Sequence, residues 1–266
     1  MALIPTAYSR DLTSYDFLKA LALILMVLDH VGYYFFPEEL WWRTFGRICA
    51  PAWLFLIGYA SSRDLSLKMW VGASSLIILD QMTGVPVLPF NILATIIVIR
   101  LCLNPLMNFS LGNHWRIWVI SVFLLIWFLP SWMTVEYGTH GLILAMMGYL
   151  VRNRDMVIEK LGNDKLVFQY TLFSFVSYLL ITQSFFNFSS EQFAFVAIGT
   201  FIMHIFLYAN FKKETYPELT KKMGKPLTLI TQFLGRRTLE FYVLHLFIFQ
   251  LVSMYYFELT HLLPRQ

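Results

Sequence analysis

Leu18-Lys-Ala-Leu-Ala-Leu-Ile-Leu-Met-Val-Leu-Asp-His-Val-Gly32 decides how this chain is read. It is an apolar run of membrane-spanning character, with Asp29 and His30 inside it. An ionisable side chain placed in hydrocarbon costs about 2.5–3.5 kcal/mol on insertion scales, so such residues are kept for chemistry, ion passage or a paired lock. Lys19 precedes His30 by eleven residues, about three helical turns or about 16 Å on one face. A basic group is thus expected near one membrane surface and a titratable ring toward the other.

Working outward, apolar runs recur at roughly 17–36, 45–62, 69–84, 87–103, 115–131, 138–151, 166–186, 192–211 and 239–257. Each approaches the ~20 residues that cross a bilayer, with 138–151 short. A tenth, 226–234, is too short to span and reads as re-entrant or interfacial. Composition agrees: 58% of residues are hydrophobic and only 14% charged, against about 25% charged in soluble domains. The expected fold is all-α, a polytopic transmembrane bundle of about nine to ten spans forming one domain over residues 1–266. Residues 1–16 hold no apolar core of a cleavable signal, so the first run is expected to stay as an anchor. Cys49 and Cys102 both lie in apolar runs and read as buried thiols.

With the N-terminus cytoplasmic, all but Arg43, Arg47 and Arg265 of the 20 lysines and arginines fall on one side. The positive-inside rule favours that orientation, with the lipid bilayer of a bacterial inner membrane as the setting. It also explains the basic pI without invoking nucleic acid.

Arg43 and Arg47 are the exceptions, in Trp41-Trp-Arg-Thr-Phe-Gly-Arg-Ile-Cys-Ala-Pro51. Their i, i+4 spacing puts both guanidinium groups on one helix face. Glu38, Glu39, Asp80, Glu136 and His140 collect on the same side, so an outer polar pocket of His30, Asp29, Arg43, Arg47, Asp80, Glu136 and His140 is expected. On the inner side, 152–165 and 212–237 are rich in lysine and arginine, which suits anionic lipid headgroups or a phosphate-rich cofactor. Arg236 and Arg237 open the last span, where Tyr242 and His245 follow at i, i+3. His204 stands alone on an apolar face and reads as a core histidine. No metal-ligand spacing and no nucleophile elbow is present.

At these residues the chain resembles the TraX family, membrane proteins linked to N-terminal acetylation of conjugative pilin. The resemblance is carried by 18–32, by Arg43-x-x-Gly46-Arg47-x-x-x-Pro51 and by Glu136-Tyr-Gly-x-x-Gly141. It is densest over 17–60 and extends more weakly to about 250. Lys19-x10-His30 and Leu239-x-x-Tyr242-x-x-His245 also resemble broader membrane acyltransferases. His140, and Ala52-Trp53 after the proline, depart from the family pattern and leave the acceptor open. The resemblance implies a transferase that takes acetyl-coenzyme A at the cytoplasmic face and acetylates a pilin or other exported acceptor beyond the membrane.

Histidine is the usual base for acyl transfer, which makes His30 the expected base. Its ring should be held in register by Asp80 or Glu136 from another helix, because adjacent helix residues diverge by about 100° and Asp29 suits a pair with Arg43 or Arg47 instead. The arginines are expected to stabilise the oxyanion or hold the acceptor, together with Lys19, Tyr242 and His245; Arg236 and Arg237 are expected to hold the coenzyme phosphates. Each has a plainer reading: Lys19 snorkelling, the acids as loop acids, the arginines neutralising Glu38 and Glu39. Two other functions compete, a transporter or flippase and a non-catalytic pilus assembly factor.

Overall fold

A computed structural model describes residues 9–262, with side chains as far as residue 255. Arg265 and the side chain of His261 lie outside the described residues. Twelve helices follow one another among the described residues. They are α1 (Ser14–Phe35), α2 (Trp41–Tyr59), α3 (Leu67–Thr83), α4 (Ile92–Ser110), α5 (His114–Ile126), α6 (Phe128–Trp132), α7 (His140–Arg152), α8 (Arg154–Leu161), α9 (Leu166–Phe186), α10 (Ser190–Ala209), α11 (Pro217–Arg236) and α12 (Thr238–Leu262). Helices α1, α4, α9, α10 and α12 are long and apolar enough to cross a membrane; α5 and α7 are apolar but shorter.

Local sequence explains several boundaries. Thr13 accepts from the Asp16 amide while Asp16 accepts from the Thr13 amide, a capping box that starts α1. Ser189 and Gln192 do the same for α10. Asn91 accepts from the Leu93 amide and starts α4. Gly84 ends α3 at φ 74°, a left-handed position that costs glycine nothing.

One expected span is corrected, and one short run proves to belong to a longer helix. The run 115–131 is not one helix: it breaks at Trp127 into α5 and the short α6, which turns back toward α7. The run 226–234 is part of α11, which is broken at Gly224. Both ends of α11 return to the start of α1, through the Thr13–Thr215 bridge and the Arg236–Asp16 ion pair. It exposes Leu227, Leu229, Ile230 and Phe233, the pattern of a helix lying in an interface.

Helices α1, α2 and α7 form the centre. The α2–α7 approach is closer than any side chain permits: a Cβ on Gly58 would sit 1.7 Å from the Ala145 carbonyl oxygen, and one on Gly148 would sit 2.1 Å from that of Phe55. Small residues at such crossings let backbones touch, which is how helices associate where lipid removes the hydrophobic drive. Fully buried Leu54, Phe55, Ile143, Leu144, Met146 and Leu150 fill this seam. A smaller cluster of Leu76, Leu79, Leu93, Ile97, Tyr242 and Leu246 joins α3, α4 and α12. Cys49 is buried, but Cys102 is exposed on α4. The residue beside it, Leu101, is exposed as well. Among the described residues nothing covers Cys102 or Leu101, and an apolar run does not by itself decide which of its positions are covered.

One end of the bundle is basic. There Arg63 donates to the carbonyls of Ile57, Gly58 and Ala60, and Arg152 to that of Tyr59, closing the C-terminus of α2. The opposite end holds the polar cavity.

Candidate functional site

Asp29 is the hub of this cavity. It is 3% exposed and faces α2, where a Cβ on Gly46 would lie 2.1 Å from its carboxyl carbon. Only glycine leaves room for a carboxylate there. Arg43, about one turn before Gly46, and Arg47, directly after it, reach back to Asp29. Arg43 Nη1 stands 3.2 Å from Asp29 Oδ2 and donates to the Asp29 carbonyl at 3.1 Å. Arg47 Nη2 donates to the same Oδ2 at 3.1 Å. Among the described residues, Asp29 Oδ1 and Arg47 Nε have no hydrogen-bond partner. Phe186 faces both guanidinium groups, at 5.4 Å and 4.8 Å, and Tyr178 donates to the Arg47 carbonyl at 2.6 Å. Two cations on one carboxylate leave a net positive charge in a desolvated place, where Coulomb interactions are poorly screened.

The cavity above this clamp has a volume of about 480 Å³. Its walls include Asp29, His30, Arg43, Arg47, Asp80, Glu136, His140 and Tyr242, so most of the residues singled out in the sequence are brought together. It is deep, since Met26 on α1 and Trp53 on α2 also line it.

His30 is oriented differently from the expectation. Among the described residues neither Asp80 nor Glu136 hydrogen-bonds to it. Its Nδ1 lies 2.7 Å from Nε2 of His245, with the two rings stacked at 5.0 Å. His245, expected among substrate-binding residues, is not part of the cavity wall and stands behind His30. Asp80 accepts from Gln250 Nε2 at 3.1 Å, and Gln250 also reaches Thr83. Glu136 sits in the loop between α6 and α7, outside the spanning helices. That loop is fixed by Phe90, which bonds to Thr134 and Glu136 backbone groups at 2.9 Å, and by Thr95, which donates to the Glu136 carbonyl. Burial lifts the Glu136 carboxyl to about 7, with Arg47 and Arg43 pulling the other way. His140 is 1% exposed, bonded to Ser177 at 3.2 Å and stacked on Tyr178; its ring is held as part of the packing at the cavity floor. His204 is buried, with Nδ1 on the Thr200 carbonyl at 2.8 Å.

Three expected residues lie elsewhere. The Lys19 ammonium rests 5.7 Å over the Tyr15 ring near the basic end and lines neither the cavity nor the groove bordered by Arg236 and Arg237. Arg236 holds Asp16 through Nε and Nη2, both at 2.9 Å. Arg237 and Lys68 both pair with Glu240, at 3.5 Å and 3.3 Å. These cations border a groove with Leu229, Ile230 and Phe233, suited in charge to phosphate although their carboxylate partners compete for it. The groove and the cavity share no lining residue. Asp16 and His30 are fourteen residues apart on α1, about 21 Å. The groove at the basic end and the cavity at His30 are therefore two distinct pockets among the described residues.

Sequence reasoning missed Tyr34, Gln250, Tyr137 and Tyr178 as cavity walls. Gln250, a polar residue within an apolar span, carried a usable signal; the tyrosines did not, because aromatic residues occur throughout the chain.

The TraX protein family matches residues 14–253. An uncharacterised protein of Rickettsia prowazekii (strain Madrid E), RP591, is 24% identical over 253 residues, covering 93% of this chain and 95% of that protein. No solved structure matches the chain. The family match runs from the first residue of α1 into α12 and takes in the arginine clamp, the His30–His245 contact and the cavity loop, so the chain belongs to the TraX family.

Proposed function

We propose that the protein is a membrane acyltransferase that moves an acetyl group from acetyl-coenzyme A on the cytoplasmic side to an extracytoplasmic amine, the N-terminus of a pilin subunit. In this reading α1–α5, α7, α9, α10 and α12 cross a bacterial inner membrane, the N-terminus is cytoplasmic, and the cavity opens outward. The observation that carries it is a partly exposed His30 sharing a cavity of about 480 Å³ with Arg43 and Arg47.

The amine nitrogen attacks the thioester carbonyl carbon, and the carbonyl electron pair moves onto oxygen. The amine proton passes to the His30 ring. Arg47 and Arg43, held by Asp29, face the oxyanion; a preorganised donor of this kind contributes about 2.7–4 kcal/mol. The carbon–sulfur bond then breaks, and the departing thiolate takes the proton from His30. Asp80 and Glu136 line the same cavity and suit the acceptor's amine. Bringing the thioester to His30 requires the helices between groove and cavity to part.

The test is transfer in proteoliposomes with acetyl-coenzyme A on one side and a synthetic peptide on the other, read by peptide mass. Well-folded His30→Ala should lose about 10²–10⁴-fold in rate; full transfer by that variant refutes the assignment. Separation of the cavity from the groove also fits an outward-open carrier. That reading predicts no acetylated product but saturable uptake of the peptide or of an anion.

A further inference from the structure

We infer that His245 is a positioning residue that fixes which nitrogen of His30 carries the proton, so that the His30 ring presents a free lone pair to the cavity. The functional half of this inference rests on the acyltransfer reading; the structural half does not.

Three polar groups, the Phe241 carbonyl and the two imidazoles, form a chain that has one direction when both rings are neutral. The Phe241 carbonyl can only accept. His245 Nδ1 stands 2.6 Å from it, so Nδ1 must carry hydrogen and donate. Neutral His245 then has its lone pair on Nε2. His30 Nδ1 lies 2.7 Å from that Nε2 and must be the donor. Neutral His30 is left with its lone pair on Nε2, an atom that takes part in no hydrogen bond among the described residues, on a ring that lines the cavity. The hydrogen bond made by one ring nitrogen sets the state of the other. Here both imidazoles are held in the Nδ1–H form, opposite to the form free histidine prefers.

The reverse direction would require hydrogen on both nitrogens of His245, hence a cation. Among the described residues no carboxylate pairs with His245, and its neighbours are His30, Tyr242 and Phe249. Those aromatic rings hold it edge-on, at 5.9 Å and 5.5 Å, while α12 supplies the accepting carbonyl from one turn earlier. A neutral relay replaces the carboxylate that usually backs a catalytic histidine, so no negative charge is added beside the Arg43–Asp29–Arg47 clamp.

Two measurements on the full-length protein in detergent test this. The first needs no activity: ¹⁵N spectra of histidine-labelled protein at neutral pH, assigned with His30→Gln and His245→Gln. Expected are a protonated Nδ1 and unprotonated Nε2 on His30, and the same on His245. In His245→Leu, His30 should leave that state. Nε2–H on wild-type His30, a doubly protonated His245, or an unchanged His30 in His245→Leu each overturns the inference. The second is acetyl transfer. His245→Leu should slow it about 10–100-fold, the range seen when partners that orient a functional histidine are lost. His245→Gln, whose amide oxygen can accept from His30 Nδ1, should restore most of the rate. Equal rates for wild type and His245→Leu remove the positioning role even if the spectra are as expected. A wild type that transfers no acetyl group, with the expected spectra, refutes the proposed reaction and leaves the tautomer assignment standing.

Discussion

Replacing Asp29 by asparagine keeps the volume and removes the charge on which two guanidinium groups converge. Arg43 and Arg47 are 16% and 14% exposed at the side chain, and Asp29 is 4%. Arg43 retains its 3.1 Å bond to the Asp29 carbonyl, which the substitution does not touch. Arg47 loses the one carboxylate it pairs with among the described residues and keeps the faces of Phe186 and Tyr137. Removing one partner of a buried ion pair costs about 3–5 kcal/mol; with Arg43 half-satisfied, the lower end, about 3 kcal/mol, is expected. For a chain of this size that is a fall in Tm of about 6–12 °C. The assay is thermal unfolding of purified wild type, Asp29→Asn, Arg47→Met and the double variant in one detergent. The double variant should recover stability relative to the sum of the singles, with a coupling of about 0.5–3 kcal/mol. An unchanged Tm in Asp29→Asn, or strictly additive losses, refutes the view that these charges hold α1 to α2.

Gly46→Ala should resemble Asp29→Asn in Tm and in transfer, because its Cβ would stand 2.3 Å from Asp29 Oδ1; wild-type behaviour in both would remove the clamp's steric rationale. Gly148→Ala drives a methyl group against the Phe55 carbonyl oxygen and the Tyr59 amide, and should cost about 1–3 kcal/mol in the same unfolding assay with no selective effect on substrate affinity. Glu136 has its carboxyl raised from 4.5 to about 7. Its contribution to stability is fully present below pH about 4.5 and is lost as pH rises through about 7. Tm measured across that window should therefore fall less steeply in Glu136→Gln, and parallel curves would contradict the shift. Lys19→Met should transfer acetyl at the wild-type rate, since Lys19 lies three turns from His30 over Tyr15; a large kcat loss would place it back in the reaction.

Much of this molecule is legible in one dimension. Apolar runs of spanning length had to become helices, because a backbone in hydrocarbon satisfies its polar groups only within itself. The anomaly of Asp29 and His30 inside such a run, and of Arg43 and Arg47 one turn apart, was enough to expect a polar pocket and to pair Asp29 with the arginines. Boundaries failed where apolarity alone was the guide: Trp127 breaks a run that looks continuous, and α11 folds back to the basic end at Gly224.

Which residue stands behind His30 was not legible, since that depends on how α12 is rotated against α1. Spacing along α12 places His245 and Tyr242 on one side, but only packing decides that Tyr242 faces the cavity and His245 the back of an imidazole. The same holds for Lys19, which shares a helix face with His30 yet serves the opposite end. Periodicity fixes directions around one axis; distances between groups on different helices are set by close approaches such as Gly46 on Asp29 and Gly148 on Phe55, and those exist only once the helices have met.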